Sequence, residues 1–348
     1  MTRRRRRTGY VLIAVLWAVV ALAALAMTAG VAGREAVAAT ANRVALTRAA
    51  WQAEDCAARA LAAADAAMSE AAMSDASTSA VGGSPNGPVG IAPEQLARRW
   101  RTLDQSVARS PLLPGNDRDR GCAVRLVAAG TTVALTLAAD AEDEAMHRLF
   151  GALRVPPPLA DSLVDALLDW RDADDTPRPA GAEAAWYVTH GRPPPRHAPF
   201  AAAVELDRVR GFDSTALDGH LPGLHAAVQA LVGVDDAPVD LSHAPREVLL
   251  SLPGMTPDAV DALLAMRARA PDAAVDLSDL TRHVSRDAAA SLGAHLPTLQ
   301  ARTATEPAAW IVTAWGTAGL PPVTAGLELR LTRAAARVAV VRRRTWVE

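Results

Sequence analysis

Polar and apolar positions change rhythm several times along this chain. Residues 10–33 contain no charged side chain; the next charge after the arginines at the start is Arg34. From Arg34 to about Met73 there is no proline and alanine, the best helix former, dominates. Val37, Ala41, Val44, Ala45, Trp51 and Leu61 recur at spacings that fit one apolar helix face. The pattern predicts one helix over 10–73, which over some sixty residues would reach about 90 Å. Ser74 to Pro93 is rich in Ser, Gly and Pro and is expected as a loop. Pro93 to Ala108 reads as a short helix with Leu96, Trp100 and Leu103 on one side, followed by a turn over 111–119. Around Gly130, the runs 122–129 and 132–138 alternate in polarity, which predicts a β-hairpin. Residues 140–299 turn helical, broken by Pro and Gly, and alternation returns near Trp310, Gly326 and Ala336. Strands on both sides of a helical block predict an α+β fold with a large all-α insertion. The expected divisions are a basic start over 1–9, the long helix over 10–73 and an α/β part with the first strands over 74–139. A helical insertion over 140–300 and closing strands over 301–348 follow.

Five arginines, Arg3 to Arg7, precede Thr8 and Gly9. About 20 apolar residues span a bilayer as a helix, and a basic flank stays cytoplasmic. That places the chain beyond Val31 on the far side of the membrane, in the periplasm for a bacterial inner membrane. The alternative is a cleaved signal peptide with its small-residue site near Ala26 to Gly33, leaving an exported helical binding protein. Two features weigh against it. The apolar stretch exceeds the 7–15 residues of a signal core, and the helical pattern does not stop where the lipid would.

The formal net charge of −2 gives no general attraction to nucleic acid. Cys56 and Cys122 are the only cysteines, and both fall on the exported side. An oxidising compartment allows a disulfide with unique connectivity; two buried free thiols are the alternative. The eight histidines are scattered and none sits at zinc spacing with Cys or carboxylates. No nucleophile elbow or phosphate loop occurs. These absences point away from an enzyme.

Acidic residues concentrate at Asp169, Asp172, Asp174 and Asp175, with Glu183 following on a proline-bearing loop. Hard oxygen donors in a flexible loop suit Ca²⁺. Asp172, Asp174 and Glu183 match positions 1, 3 and 12 of an EF-hand, but position 6 is Pro177 where Gly is required, so the loop is not an EF-hand. A solvated, capped helix end is the plain alternative. The stretch from Val239 to Leu264, with Pro253, Gly254 and Pro257 at its centre, looks like a helix-hairpin-helix unit. Its second glycine position is Thr256, and Asp258 and Asp261 follow, so the cation–phosphate contacts that carry nucleic-acid affinity are missing.

The basic leader ending in Gly9, followed by an apolar helix that continues into aqueous space, resembles the type IV pilin and pseudopilin family. That resemblance implies cleavage by a prepilin peptidase after Gly9, so that the mature chain begins at Tyr10. The major subunits carry Glu at the fifth mature position; here it is Ala14. The chain is similar in this to the K minor pseudopilin of type II secretion systems. The run from Leu168 to Tyr187 resembles a K-family stretch, as does the segment from Pro199 to Gly211 with its Glu205-Leu206 and Val209. The resemblance implies a pilin-type antiparallel sheet interrupted by the helical domain, calcium sites in that domain, and no catalysis. It also implies a single-pass anchor in the inner membrane and a place with other minor pseudopilins at the tip of the pseudopilus. There the chain would help start assembly and export of folded proteins. The carboxylates above are the natural calcium candidates.

Overall fold

The computed structural model describes residues 8–79, 92–113, 122–136 and 139–347. The first element, α1 (Thr8–Ser79), is a single helix of 72 residues, about 110 Å long. It runs past the expected end at residue 73, so the first six residues of the expected loop are helical. Its early part is apolar and bare: Leu16, Trp17, Leu22, Leu25 and Met27 are all exposed. This part is long and apolar enough to cross a membrane.

Further along, α1 buries a narrow stripe of small residues. Ala45, Ala49, Ala53, Ala57, Ala60, Ala64 and Met68 are buried and follow one another at steps of three or four. This stripe lies on a four-stranded sheet of order β1-β6-β7-β8, all neighbours antiparallel. The strands are β1 (Cys122–Ala128), β6 (Trp310–Ala318), β7 (Val323–Ala334) and β8 (Arg337–Val347). Strand β6 buries alternate residues from Trp310 to Gly316, as a strand with one covered face must. The helix and β6 approach to backbone contact: a Cβ on Gly316 would stand 2.0 Å from the Ala49 carbonyl oxygen, so only glycine fits there. Two short helices, α2 (Pro93–Arg101) and α3 (Leu103–Ala108), replace the single one expected, with the break at Thr102. They close the same core. Trp100 and Trp310 meet edge to face, Trp100 Nε1 donating to the Pro307 carbonyl and Trp310 Nε1 to that of Trp100.

The expected hairpin around Gly130 does not form. Strand β1 pairs with β6, in register Cys122↔Gly316 to Ala128↔Trp310. After the turn at Gly130 the chain leaves the sheet, and β2 (Val133–Ala134) pairs in parallel with β3 (Val232–Gly233). Alternation fixes which face of a strand is buried, not its partner. Because β1 and β6 are neighbours, everything between them is an insertion. It holds α4 (Ala139–Ala152), α5 (Pro157–Arg171), α6 (Ala184–Thr189), α7 (Ser214–His220) and α8 (Leu224–Leu231). It continues with β4 (Val239–Asp240), α9 (Arg246–Leu250), α10 (Pro257–Arg269), α11 (Leu277–Leu280), α12 (Arg286–Arg302) and β5 (Thr303–Ala304). The insertion has its own core, built on Met146, Phe150, Leu163, Trp170, Tyr187, Phe212 and Leu263 among others, separate from the core under α1.

Two pairs brace this core. Glu142 of α4 is fully buried and faces the Arg171 guanidinium; burial pushes its carboxyl up to about 8 against the pull of that cation. Arg267 of α10, its pKa pushed down to about 10 by burial, donates to the carbonyls of Leu241 and Ala244. The helix-hairpin-helix segment forms α9 and α10. Its turn lies against α12, where Ser291 Oγ donates to the Gly254 carbonyl. The turn is used for packing.

Candidate metal centre

Helix α5 starts with prolines, which suit a first turn where amide hydrogens have no partner. It buries Leu163, Val164, Leu167, Leu168 and Trp170, and that face carries Asp169 inward with it. Past the C-terminal Arg171, residues 172–183 fold back over the helix. The loop is held by carboxylates receiving its amides: Asp165 Oδ2 accepts from Ala180 N at 2.9 Å, and Asp169 accepts from Arg178 N at 3.1 Å. Gly181 presses on Asp169 so closely that a Cβ would stand 1.9 Å from Oδ2. The Arg210 guanidinium ties the far side, donating to the Gly181 carbonyl at 2.8 Å. Beyond Glu183, α6 packs Tyr187 against Trp170, edge to face.

The loop collects two overlapping groups of donors: Asp169, Asp172 and Glu183, and Asp175, Glu183 and His197. Within each, one donor atom per residue lies within 4.8 Å of the others. Glu183 belongs to both. It is 4 % exposed, and neither of its oxygens has a hydrogen-bond partner among the described residues. Burial, then the charges of Asp169 and Asp172, push its carboxyl up to about 7. Asp169 is also raised, by burial first, with the Arg178 amide and guanidinium pulling the other way. Arg178 supplies the positive charge the first group needs, its Nη1 at 2.9 Å from Asp172 and 3.2 Å from Asp169. Asp172 Oδ1 is buried and unpartnered among the described residues.

Of the five carboxylates singled out from the sequence, Asp169, Asp172, Asp175 and Glu183 therefore converge. Asp174 stands outside both groups; its Oδ1 accepts from Thr176 N at 2.8 Å, an Asx turn that shapes the loop. Two participants carried no signal in the sequence. Arg178 lies within the acidic run but reads as an ordinary solvated cation. His197 sits after a proline run, far from Glu183 in the chain. The donors present suit a hard cation: Glu183 and Asp172 Oδ1 offer free oxygens, and Ca²⁺ takes six to eight at flexible geometry. Among the other candidates, Cys56 on α1 is disulfide-bonded, while the side chain of Cys122 lies outside the described residues. Gly9 and Tyr10 fall within the first turns of α1; their side chains also lie outside the described residues.

Residues 126–227, which contain this centre, match the family model described as type II secretion system (T2SS), protein K. Over this stretch the chain is similar to protein K of type II secretion systems. The matched stretch runs from within β1 to within α8, so it includes both donor groups. The fold of this chain is similar to a chain in the crystal structure of the GspK-GspI-GspJ complex from the enterotoxigenic Escherichia coli type 2 secretion system. The two share 17 % identity over 65 % of this chain and 79 % of that one, with a TM-score of 0.48. No curated protein matches the sequence.

Proposed function

We propose that this chain is a minor pseudopilin that sits at the tip of the type II secretion pseudopilus, helps start its assembly, and performs no catalysis. The observation that supports this most is α1. One unbroken helix is bare and apolar in its early part, from Ile13 to Val31, and packed on a sheet further on, from Ala45 to Met68. A cleaved export signal has no reason to continue as a structural helix of the exported domain. In this reading the apolar part lies in the inner membrane and the rest stands in the periplasm, with the arginine block on the cytoplasmic side. The absence of an acidic residue at Ala14 suits the topmost subunit. Burying an isolated charge in lipid is expensive, and a subunit with nothing above it has no neighbouring amine to neutralise.

In the same reading the inserted domain holds Ca²⁺ through Asp172 and Glu183, with Asp169 at the margin. The ion would supply positive charge to a cluster that Arg178 neutralises only in part. The partners are other minor pseudopilins, in keeping with the GspK-GspI-GspJ assembly of the similar structure. The deciding experiment is co-purification from detergent-solubilised inner membranes. The full chain should bring down the other minor pseudopilins of its own secretion system. Recovery of the chain alone from the soluble periplasmic fraction would instead support the exported binding protein.

A further inference from the structure

His197 gives the second donor group a chemistry that calcium does not need. Its Nδ1 lies 3.0 Å from the carbonyl oxygen of Asp172. A carbonyl only accepts, so Nδ1 carries the hydrogen and the Nε2 lone pair faces the other way. Fixing one imidazole nitrogen on a backbone carbonyl is how proteins orient a histidine that binds metal through the other. Nε2 stands 3.5 Å from Asp175 Oδ1, too far for a strong hydrogen bond. Two ligands of a tetrahedral zinc ion, each ~2.0 Å from it, stand about 3.3 Å apart. The third member is Glu183, whose buried, unpartnered carboxylate places an oxygen within 4.8 Å of both. A pocket lined by Asp175, Gly181, Glu183 and Trp186 opens beside it, so a fourth position is open to solvent. Imidazole favours the later first-row dications, whereas calcium favours oxygen alone.

We propose that Asp175, Glu183 and His197 form a transition-metal site of the Zn²⁺ type. It is distinct in ligand set from the all-oxygen group of Asp169, Asp172 and Glu183, although both draw on Glu183. The inference does not depend on the pseudopilin reading. Nor does it depend on calcium: the His197 arm remains if the oxygen group binds nothing.

The test uses the full chain in detergent micelles, stripped with chelator and titrated with Zn²⁺ by calorimetry. Co²⁺ serves in parallel as a probe whose visible absorption is intense only in four-coordinate sites. One equivalent of Zn²⁺ should bind, and Co²⁺ should give the four-coordinate band. His197→Gln and Asp175→Asn should each weaken Zn²⁺ at least tenfold and abolish the band. Asp175 is exposed, so its replacement does not threaten folding. Neither change should alter a calcium-induced melting shift by more than a small part of its size. Wild-type chain that takes up no Zn²⁺ would overturn the proposal, as would variants that bind it as tightly as wild type. Loss of zinc and calcium responses together in Asp175→Asn would also overturn it, because a single common site would then account for both.

Discussion

Glu183 is a carboxylate that the fold buries without giving its oxygens a partner, and its ionisation is therefore unfavourable in the folded state. Its pKa is pushed up from 4.5 to about 7. Below pH 4.5 the group is protonated whether the chain is folded or not, and its contribution to stability is fully present. Between 4.5 and about 7 the unfolded chain releases the proton while the folded chain keeps it, so unfolding is favoured as pH rises. Above about 7 both forms are ionised and the loss is complete. By linkage the loss is at most about 3 kcal/mol. Urea unfolding in chelator at pH 4.5 to 8 should show wild type losing stability across this window relative to Glu183→Gln, whose neutral amide removes the dependence. Equal slopes for the two proteins would count against a buried, unpartnered Glu183. At this scale the sequence displayed the carboxylates because they are neighbours in the chain. It could not separate Asp174, spent on an Asx turn, from Asp172, turned inward at the end of α5. His197 reaches Asp172 only because the proline-rich segment folds back.

The loop between α5 and α6 is where like charges crowd, and an ion should stiffen it as an element. Arg178 satisfies Asp169 and part of Asp172, and leaves Asp172 Oδ1 and Glu183 without partners among the described residues. Binding to the folded form alone adds RT ln(1 + [L]/Kd), about 2.7 kcal/mol at a hundredfold excess over Kd. The detergent-solubilised full chain should accordingly melt several degrees higher in millimolar calcium than in chelator. Magnesium should substitute poorly because it demands a stricter octahedron. Asp172→Asn should remove most of the shift and Asp174→Ala should leave most of it, an ordering the acidic run alone does not suggest. Identical melting in calcium and chelator would withdraw the calcium assignment. Elements with strong periodicity were the legible ones: α1, the helical block, and the three closing strands stand where alternation and spacing predict them. The hairpin was not legible, because β1 and β2 each carry a strand pattern while their partners, β6 and β3, lie far away in sequence.

At the scale of the whole molecule, one helix joins a segment long and apolar enough to cross a membrane to an α+β body, and the body has two cores. The alanine stripe from Ala45 to Ala64 makes α1 part of the sheet's core, so the α+β body cannot be cut away near Ala26 to Gly33 without leaving a helical stump. Cleavage before Tyr10 would leave this architecture whole. The residue before that bond must be small if a peptidase is to reach the backbone at the membrane surface, and Gly9 meets that need. Gly9→Val should therefore leave the chain at its precursor mass in the inner membrane, with the arginine block retained. Wild type should yield Tyr10 as its first residue on N-terminal sequencing. The precursor should still melt like the mature protein in detergent, because the two core clusters are built from Ala53 onward, yet fail to join the other minor pseudopilins. Normal processing of Gly9→Val, or a mature start near Gly30, would assign the basic leader to ordinary export and remove the pseudopilin reading of α1.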